Sequence, residues 1–427
     1  MLNFISIGCK VNQAEMSEIK DKMHDSNIKI GIINTCAVTA VSEAKSRKLI
    51  RRFIRENPDY RLIVTGCFAE AQPDIVRRLI RQNDIVVSNR DKSSIPELVK
   101  QLTPNGVSKE TNEIISHIEN EASNELRSSI SLQPNNRTRA FLKIQDGCRK
   151  FCSYCIVPFL RSEMWSKSEE IVEDEVRNII DNGYKEIVLS GVNLGLYGNL
   201  VGLLERLIRL TGLERIRISS IELNDVSNKL VNLIAKNPKI CPHFHIPLQS
   251  GSDKIIKLMK RNYTSADYIN RINFIKSKIE NPAITTDVIV GFPGESDDDF
   301  KETLLVCQKV GFSKIHIFSF SPRKGTVASE MKNKVKPEMI KKRFIMLNNL
   351  EREIALKYKQ LFLGKEVDVL VEDSFEGFTE RYIRVKIEHD KEDGFISRRN
   401  QIIRVKINEI KDKWMKGMPV ELSFTRR

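Results

Sequence analysis

FLKIQDGCRKFCSYC, residues 141–155, decides the reading of the whole chain. Its first five residues pattern as a short strand, and three cysteines follow directly: Cys148, Cys152 and Cys155, spaced C-x3-C-x2-C. Cysteine thiolates hold iron–sulfur clusters. Only three are offered here. A four-iron cubane with three protein ligands keeps one iron open, which is what catalysis needs, whereas a closed site serves structure. A structural zinc would want a fourth Cys or His in the loop, and the loop contains none.

Downstream of this stretch, strand and helix patterns alternate. Glu186–Ser190, Arg215–Ser219, His243–Ile246, Thr286–Val290 and Lys314–Phe320 read as strands. Ser168–Asn182, Leu203–Leu210, Val226–Ala235, Ala266–Ile279 and Asp297–Val310 read as the helices between them. With Phe141–Gln145 this makes six βα units, a partial (β/α)6 barrel, since an eight-fold barrel needs more chain. A long charged helix, Pro337–Leu361, follows.

Upstream, Phe4–Gly8, Ile30–Asn34, Leu62–Gly66 and Ile85–Asn89 alternate with helical patterns at Gln13–Asp25, Val41–Glu56 and Gln72–Ile80. This pattern predicts an open parallel α/β sheet. Cys9, Cys36 and Cys67 each fall at or just after the end of a strand. The carboxyl ends of parallel strands share one edge, so three cysteines distant in sequence converge there. Buried cysteine is also a common small packing residue. The segment 103–137, rich in Asn, Ser and Glu, reads as a connector with one short helix at Glu110–Asn120. The fold class is therefore α/β, with units at 1–102 and 138–362.

Residues 363–427 differ. Glu366–Val371, Tyr382–Ile387, Ile402–Ile407 and Met418–Phe424 alternate as antiparallel strands, with turns at Glu376-Gly377 and Asp393-Gly394, which predicts a small antiparallel β-barrel. Its second half is basic, through Arg398, Arg399, Arg404, Lys406, Lys411, Lys413, Lys416, Arg426 and Arg427. The whole chain carries a formal charge of +14, which favours an anionic partner, nucleic acid first. A plain solvated surface is the alternative. No apolar run reaches membrane-spanning length and the N-terminus lacks a secretory pattern, so the expected location is cytoplasmic, with no membrane partner. Cys241 and Cys307 lack partners at metal spacing and read as packing residues. His24 and His117 read as surface positions, and His245, at a strand end, as a possible lining of the active site.

The cysteine triad and its place after the first barrel strand resemble the radical S-adenosylmethionine superfamily. The resemblance implies that Cys148, Cys152 and Cys155 hold a 4Fe-4S cluster whose open iron binds S-adenosylmethionine, with Tyr154 near the adenine. Gly191-Val192-Asn193, Ser219-Ser220-Ile221-Glu222, the run His245–Gly251 and Gly291-Phe292-Pro293-Gly294-Glu295 are similar to family segments around that ligand. They imply contacts from Gly191, Asn193, Glu222, Gln249, Gly291 and Gly294. The runs Gly8–Gln13, Asn34-Thr35-Cys36 and Thr65-Gly66-Cys67 are similar to the N-terminal domain of the methylthiotransferases, which implies a second 4Fe-4S cluster on Cys9, Cys36 and Cys67. Glu372 and Gly377–Val385 resemble the RNA-binding TRAM domain.

Within that family, Gly8-Cys9-Lys10-Val11-Asn12 and residues 34–39, NTCAVT, look like the branch acting on N6-threonylcarbamoyladenosine at position 37, beside the tRNA anticodon. The isopentenyladenosine branch usually reads Gly-Cys-Gln-Met-Asn there, and the branch acting on a ribosomal-protein aspartate Gly-Cys-Pro-Lys-Asn. The resemblance implies that S-adenosylmethionine is both methyl donor and radical source, with an electron carrier such as flavodoxin or ferredoxin as a further partner. One departure stands out: after Pro158 the family commonly shows Arg-Gly and then an Arg-rich stretch, whereas here the run Arg161–Lys167, RSEMWSK, retains Arg161 but not the glycine or several of the arginines. The rival readings are the same chemistry on the other two substrates, and a non-catalytic iron–sulfur sensor that binds RNA.

Overall fold

A computed structural model of the chain describes residues 1–23, 28–102, 138–373, 375–388 and 399–420. Strands β1 (Leu2–Ser6), β2 (Ile30–Thr35), β3 (Arg61–Gly66) and β4 (Ile85–Val86) pair in that order, all parallel. Every residue of β2 is buried, as in a strand covered by helices on both faces. The helices Lys10–Asp21, Ala40–Glu56 and Pro73–Leu79 carry the chain between the strands. Their ends follow local chemistry: the Thr39 hydroxyl accepts from the Ser42 N–H, and Pro73 opens its helix.

The central unit holds six parallel strands in chain order. β5 (Arg139–Lys143), β8 (Glu186–Ser190) and β9 (Arg215–Ile218) form one sheet; β10 (His243–His245), β11 (Ala283–Val290) and β12 (Lys314–Ser319) form the other. Isolated bridges Ile216–Ile240 and Ser220–His245 join β9 to the second sheet. Between β5 and β8 lies a small ribbon of β6 (Gln145–Asp146) and β7 (Trp165–Ser166). The helix Pro337–Gln360 places Leu347 and Ile354 in the barrel core, and Tyr358 in the core of the next unit.

That unit is a closed barrel of β13 (Glu366–Asp373), β14 (Glu376–Thr379), β15 (Arg384–Ile387), β17 (Met415–Pro419) and β16 (Ile402–Ile410), in that spatial order. Three expectations need correction. Glu376-Gly377 opens a strand rather than making a turn, so there are five strands among the described residues rather than four. The barrel is not purely antiparallel: β15 and β17 run parallel. An odd number of strands cannot alternate direction around a closed ring, so one seam must be parallel. The last strand among the described residues is Met415–Pro419, where Met418–Phe424 was expected; residues 421–424 lie outside the described residues. The helix expected at Glu110–Asn120, the Asp393-Gly394 turn, His24, His117 and the basic residues Arg398, Arg426 and Arg427 lie outside the described residues.

Candidate active site

The edge where β1, β2 and β3 end brings Cys9, Cys36 and Cys67 together. Cys9 caps the helix Lys10–Asp21, Cys36 follows β2, and Cys67 opens a short helix directly after β3. Gly8, at φ 107°, lets the first turn close on the second: a Cβ there would sit 2.8 Å from the Cys36 Cβ. Asn12 ties the two turns, its Nδ2 donating to the carbonyls of Ile7 at 2.8 Å and Thr35 at 3.0 Å. Protein mass around the thiols raises the pKa of Cys9 and pushes Cys36 up to about 11, in both cases mainly by desolvation. Each also feels Cys67 as a neighbouring charge. Such thiols stay protonated until a cation draws them into the thiolate form.

The second triad sits on the loop leaving β6. Gly147 at φ 78° makes the turn into it; a Cβ there would lie 2.2 Å from the Glu163 carbonyl oxygen. Ser153 fixes the loop, its N–H donating to Met259 O at 3.1 Å and its hydroxyl to Leu258 O at 2.8 Å. Tyr154 packs against a small core of Ile255, Met259, Phe292 and Ala328. Burial drives the Cys155 thiol up to about 12. Arg261, which sequence reasoning missed, donates from Nη1 to Cys152 Sγ at 3.4 Å and to Glu222 Oε1 at 3.0 Å, and pairs with Glu222 again through Nη2. Its only sequence signal is a cation 39 residues from Glu222, too far apart for a local pattern to register.

The other expected contacts lie along the carboxyl ends of the barrel strands. Gly191 follows β8 and leaves no room for a side chain, since a Cβ would meet Gln145 Oε1 at 2.8 Å. Asn193 is buried, its N–H bound to Gln145 Oε1 and its own Nδ2 without a hydrogen-bond partner. Ser219 is buried with an unpartnered hydroxyl. Gln249 holds a left-handed backbone, bonded on both sides to β11 through Asp287 O and Ile289 N. Gly291 and Gly294 turn the chain after β11 at positive φ; the Gly291 N–H donates to Glu295 Oε2. No three His, Cys, Asp or Glu side chains among the described residues gather as tightly as a single metal ion requires. A cubane binds each thiolate to a different iron, so its ligands stand farther apart. Open polar atoms at Asn193 and Ser219 and a three-thiol loop fit a polar ligand beside a cluster better than a lone ion.

Ion pairs hold the two triads in register. Arg161, on the loop after the barrel triad, donates to Glu15 Oε1 at 2.7 Å, Asp146 Oδ2 at 2.8 Å and Asn12 Oδ1 at 3.2 Å. Glu15 also takes Lys143 at 2.7 Å and Lys92 at 2.5 Å, all of them buried. Lys167, at the other end of the same loop, pairs with Glu18 and Glu175. The two ends of the RSEMWSK run, Arg161 and Lys167, thus dock the helix Lys10–Asp21 onto the barrel. Leu160 from this loop enters the same core cluster as Cys67. On the opposite side Arg323 bonds Glu43 Oε2 and Ala37 O, just past Cys36. Arg161, Lys143 and Lys92 hold the Glu15 carboxyl well below the usual carboxylate range, against the opposing effect of burial. Its contribution is therefore present above about pH 4 and fades as pH falls toward its depressed native pKa. Glu15→Gln leaves buried cations unpaired and costs about 3–5 kcal/mol. Thermal unfolding should show that loss at neutral pH, with a shallower decline in acid than the parent.

A cavity of about 1010 Å³ opens where the three units meet. Cys9 and Lys10 line it from the N-terminal sheet, Gly191, Ser219 and His245 from the barrel, and Tyr382 from the C-terminal unit. Cys9 reaches solvent through this space although protein surrounds it. His245 bonds Thr285 Oγ1 at 3.0 Å and faces Asp287. Cys241 and Cys307 are buried elsewhere, Cys307 within the barrel core. On the C-terminal barrel Arg404, Lys411 and Lys416 pair with Asp368, Glu409 and Glu388, exposed contacts weak enough for a polyanion to displace. No helix among the described residues is long and apolar enough to cross a membrane.

Residues 142–307 match the Radical SAM superfamily, and residues 1–88 match an uncharacterized protein family, UPF0004. Threonylcarbamoyladenosine tRNA methylthiotransferase MtaB of Thermotoga maritima is 34% identical, covering 94% of this chain and 98% of the relative. The chain belongs to the radical S-adenosylmethionine methylthiotransferases. The MtaB of Bacillus subtilis is 34% identical over 90% of the chain and 89% of its own length. A relative named for another substrate, the tRNA-2-methylthio-N(6)-dimethylallyladenosine synthase of Pelotomaculum thermopropionicum, is 33% identical over 93% of the chain and 89% of its own. Among solved structures, the radical S-adenosylmethionine methyltransferase TsrM of Kitasatospora setae shares the fold at TM-score 0.55, with 12% identity, over 77% of this chain and 76% of its own. As a radical S-adenosylmethionine methylthiotransferase, the chain is a transferase whose superfamily domain implies S-adenosylmethionine and a 4Fe-4S cluster.

Proposed function

We propose that this enzyme places a methylthio group on C2 of N6-threonylcarbamoyladenosine at position 37 of tRNA, with one cluster on Cys148, Cys152 and Cys155 and a second on Cys9, Cys36 and Cys67. The observation that carries the reading is the shared cavity: Cys9 and the barrel's strand ends face one space large enough for a nucleoside. In this reading residues 1–102 serve the sulfur, 138–362 the radical and 363–427 the RNA. When bound, the two clusters and S-adenosylmethionine supply a methylated sulfur and a carbon radical, a rational route to an adenine C2–H that offers no acidic proton to a base.

The chain's own residues do the positioning. Arg261 holds Glu222 beside Cys152, Tyr154 closes the loop against the small apolar core, and Asn193 and Ser219 present open polar atoms to the ligand. Gly191 keeps the strand end free of a side chain. The Arg161 network sets the distance between the two cysteine edges. Electrons come from a small carrier such as flavodoxin or ferredoxin, and the enzyme works in the cytoplasm, where its tRNA is. The base at position 37 must leave its stack to enter the cavity.

The second reading, dimethylallyladenosine as substrate, is favoured by the relative from Pelotomaculum. Reconstituted enzyme incubated with two anticodon stem-loops, one carrying each modified adenosine, separates them. Methylthiolation of the threonylcarbamoyl RNA alone is the expected result; product only from the dimethylallyl RNA would reverse the assignment.

A further inference from the structure

We propose that Lys10 is the specificity residue for the substrate's carboxylate: its ammonium group, beside Cys9 in the central cavity, receives the threonyl carboxylate carried on N6 of the adenine. This deepens the proposed function and rests on it.

Lys10 lines the cavity and also a smaller adjoining one of about 460 Å³, in each case next to Cys9 and Tyr382. Its ammonium stands 5.4 Å from the centre of the Tyr382 ring and has no carboxylate at ion-pair distance among the described residues. Two further cations face the same ring, Arg139 at 5.0 Å and Arg217 at 4.7 Å. Both are already balanced: Arg217 lies on Glu186 at 2.8 Å and Arg139 on Glu372 at 2.6 Å. Of the three cations facing Tyr382, Lys10 is the one without an ion pair; Glu186 is shared, since it also takes Arg215 at 3.8 Å. A partly buried cation without a partner is costly, and an anionic ligand offsets that cost.

Other features of the place point the same way. Lys10 is the first residue of the helix Lys10–Asp21, whose first turn has no acidic residue. A cation there opposes the helix dipole, so helix stability does not account for it, and both the dipole and the lysine favour an anion. His243 and Ser219, buried on the wall of the same cavity, keep Nδ1 and Oγ without hydrogen-bond partners. The cavity thus holds open polar groups as well as an unmatched charge. Adenine geometry supplies the link to Cys9. C6, which bears the substituent, and C2, which takes the methylthio group, flank the same ring nitrogen. A residue adjacent to the sulfur-bearing site can therefore meet a group curled back from N6. The isopentenyl substituent has no charge and would give Lys10 no ionic partner.

The test uses reconstituted full-length enzyme and two anticodon stem-loops that differ only at the threonyl terminus, the acid and its neutral carboxamide. Affinities are measured at one fixed salt concentration for the parent, Lys10→Gln and Lys10→Arg. The parent should prefer the acid by about tenfold, the scale of one charge-assisted hydrogen bond. Lys10→Gln should erase that preference and Lys10→Arg should retain it. An acid preference that survives in Lys10→Gln, or equal affinities in the parent, would overturn the proposal. The parent comparison needs no variant, so a poorly folding Lys10→Gln does not shelter the idea. Failure of the parent to methylthiolate the acid RNA at all would instead sink the proposed function.

Discussion

Cys152→Ala should abolish both release of 5′-deoxyadenosine and methylthiolation. The barrel loop offers three thiols and no fourth ligand, so a cluster that loses one is held by two residues, with more than one iron exposed. Folding should survive the change. Cys152 is only partly buried, and the loop is pinned by Ser153 to Met259 and Leu258 rather than by the thiol. Losing the sulfur also removes the acceptor that Arg261 meets at 3.4 Å, but Arg261 keeps both contacts to Glu222. Anaerobic chromatography after reduction should find 5′-deoxyadenosine only at the level of a reaction without enzyme. Release at the parent's rate would remove Cys152 from the proposed ligands.

Cys36→Ala should separate the two halves of the reaction: methylthiolated product disappears while 5′-deoxyadenosine release continues. Cys36 belongs to the edge of the N-terminal sheet, which docks on the barrel through Arg161, Lys167 and Arg323 rather than through the cysteines. Removing one buried sulfur leaves that docking intact and costs about 1 kcal/mol in lost packing. If product formation persists, Cys36 is a packing residue and the edge holds no second cluster. If both readouts vanish while the protein keeps its melting temperature, the triads do not act independently.

What the sequence made legible was local. Strand ends could be read because β-branched runs such as Ile30–Asn34 stop abruptly at a cysteine, and a parallel sheet collects such ends at one edge. The barrel triad is written in eight consecutive residues. Three features escaped for the same physical reason, that their partners meet only after folding. Arg161 and Glu15 are 146 residues apart, and the loop that looked like a defect in the family pattern is the clamp between two units. Arg261 has no motif around it, and its role exists only where it reaches Glu222 and Cys152. Tyr382, on the C-terminal barrel, draws cations from both other units. The fifth strand of that barrel was hidden because Glu376-Gly377 has turn chemistry, yet β13 and β15 on either side pair it into the sheet.

Nucleoside mass spectrometry of tRNA from a strain lacking this gene, beside its parent, tests the central claim most directly. The account predicts that 2-methylthio-N6-threonylcarbamoyladenosine disappears and that N6-threonylcarbamoyladenosine rises to replace it. An unchanged level of the methylthiolated nucleoside would contradict it.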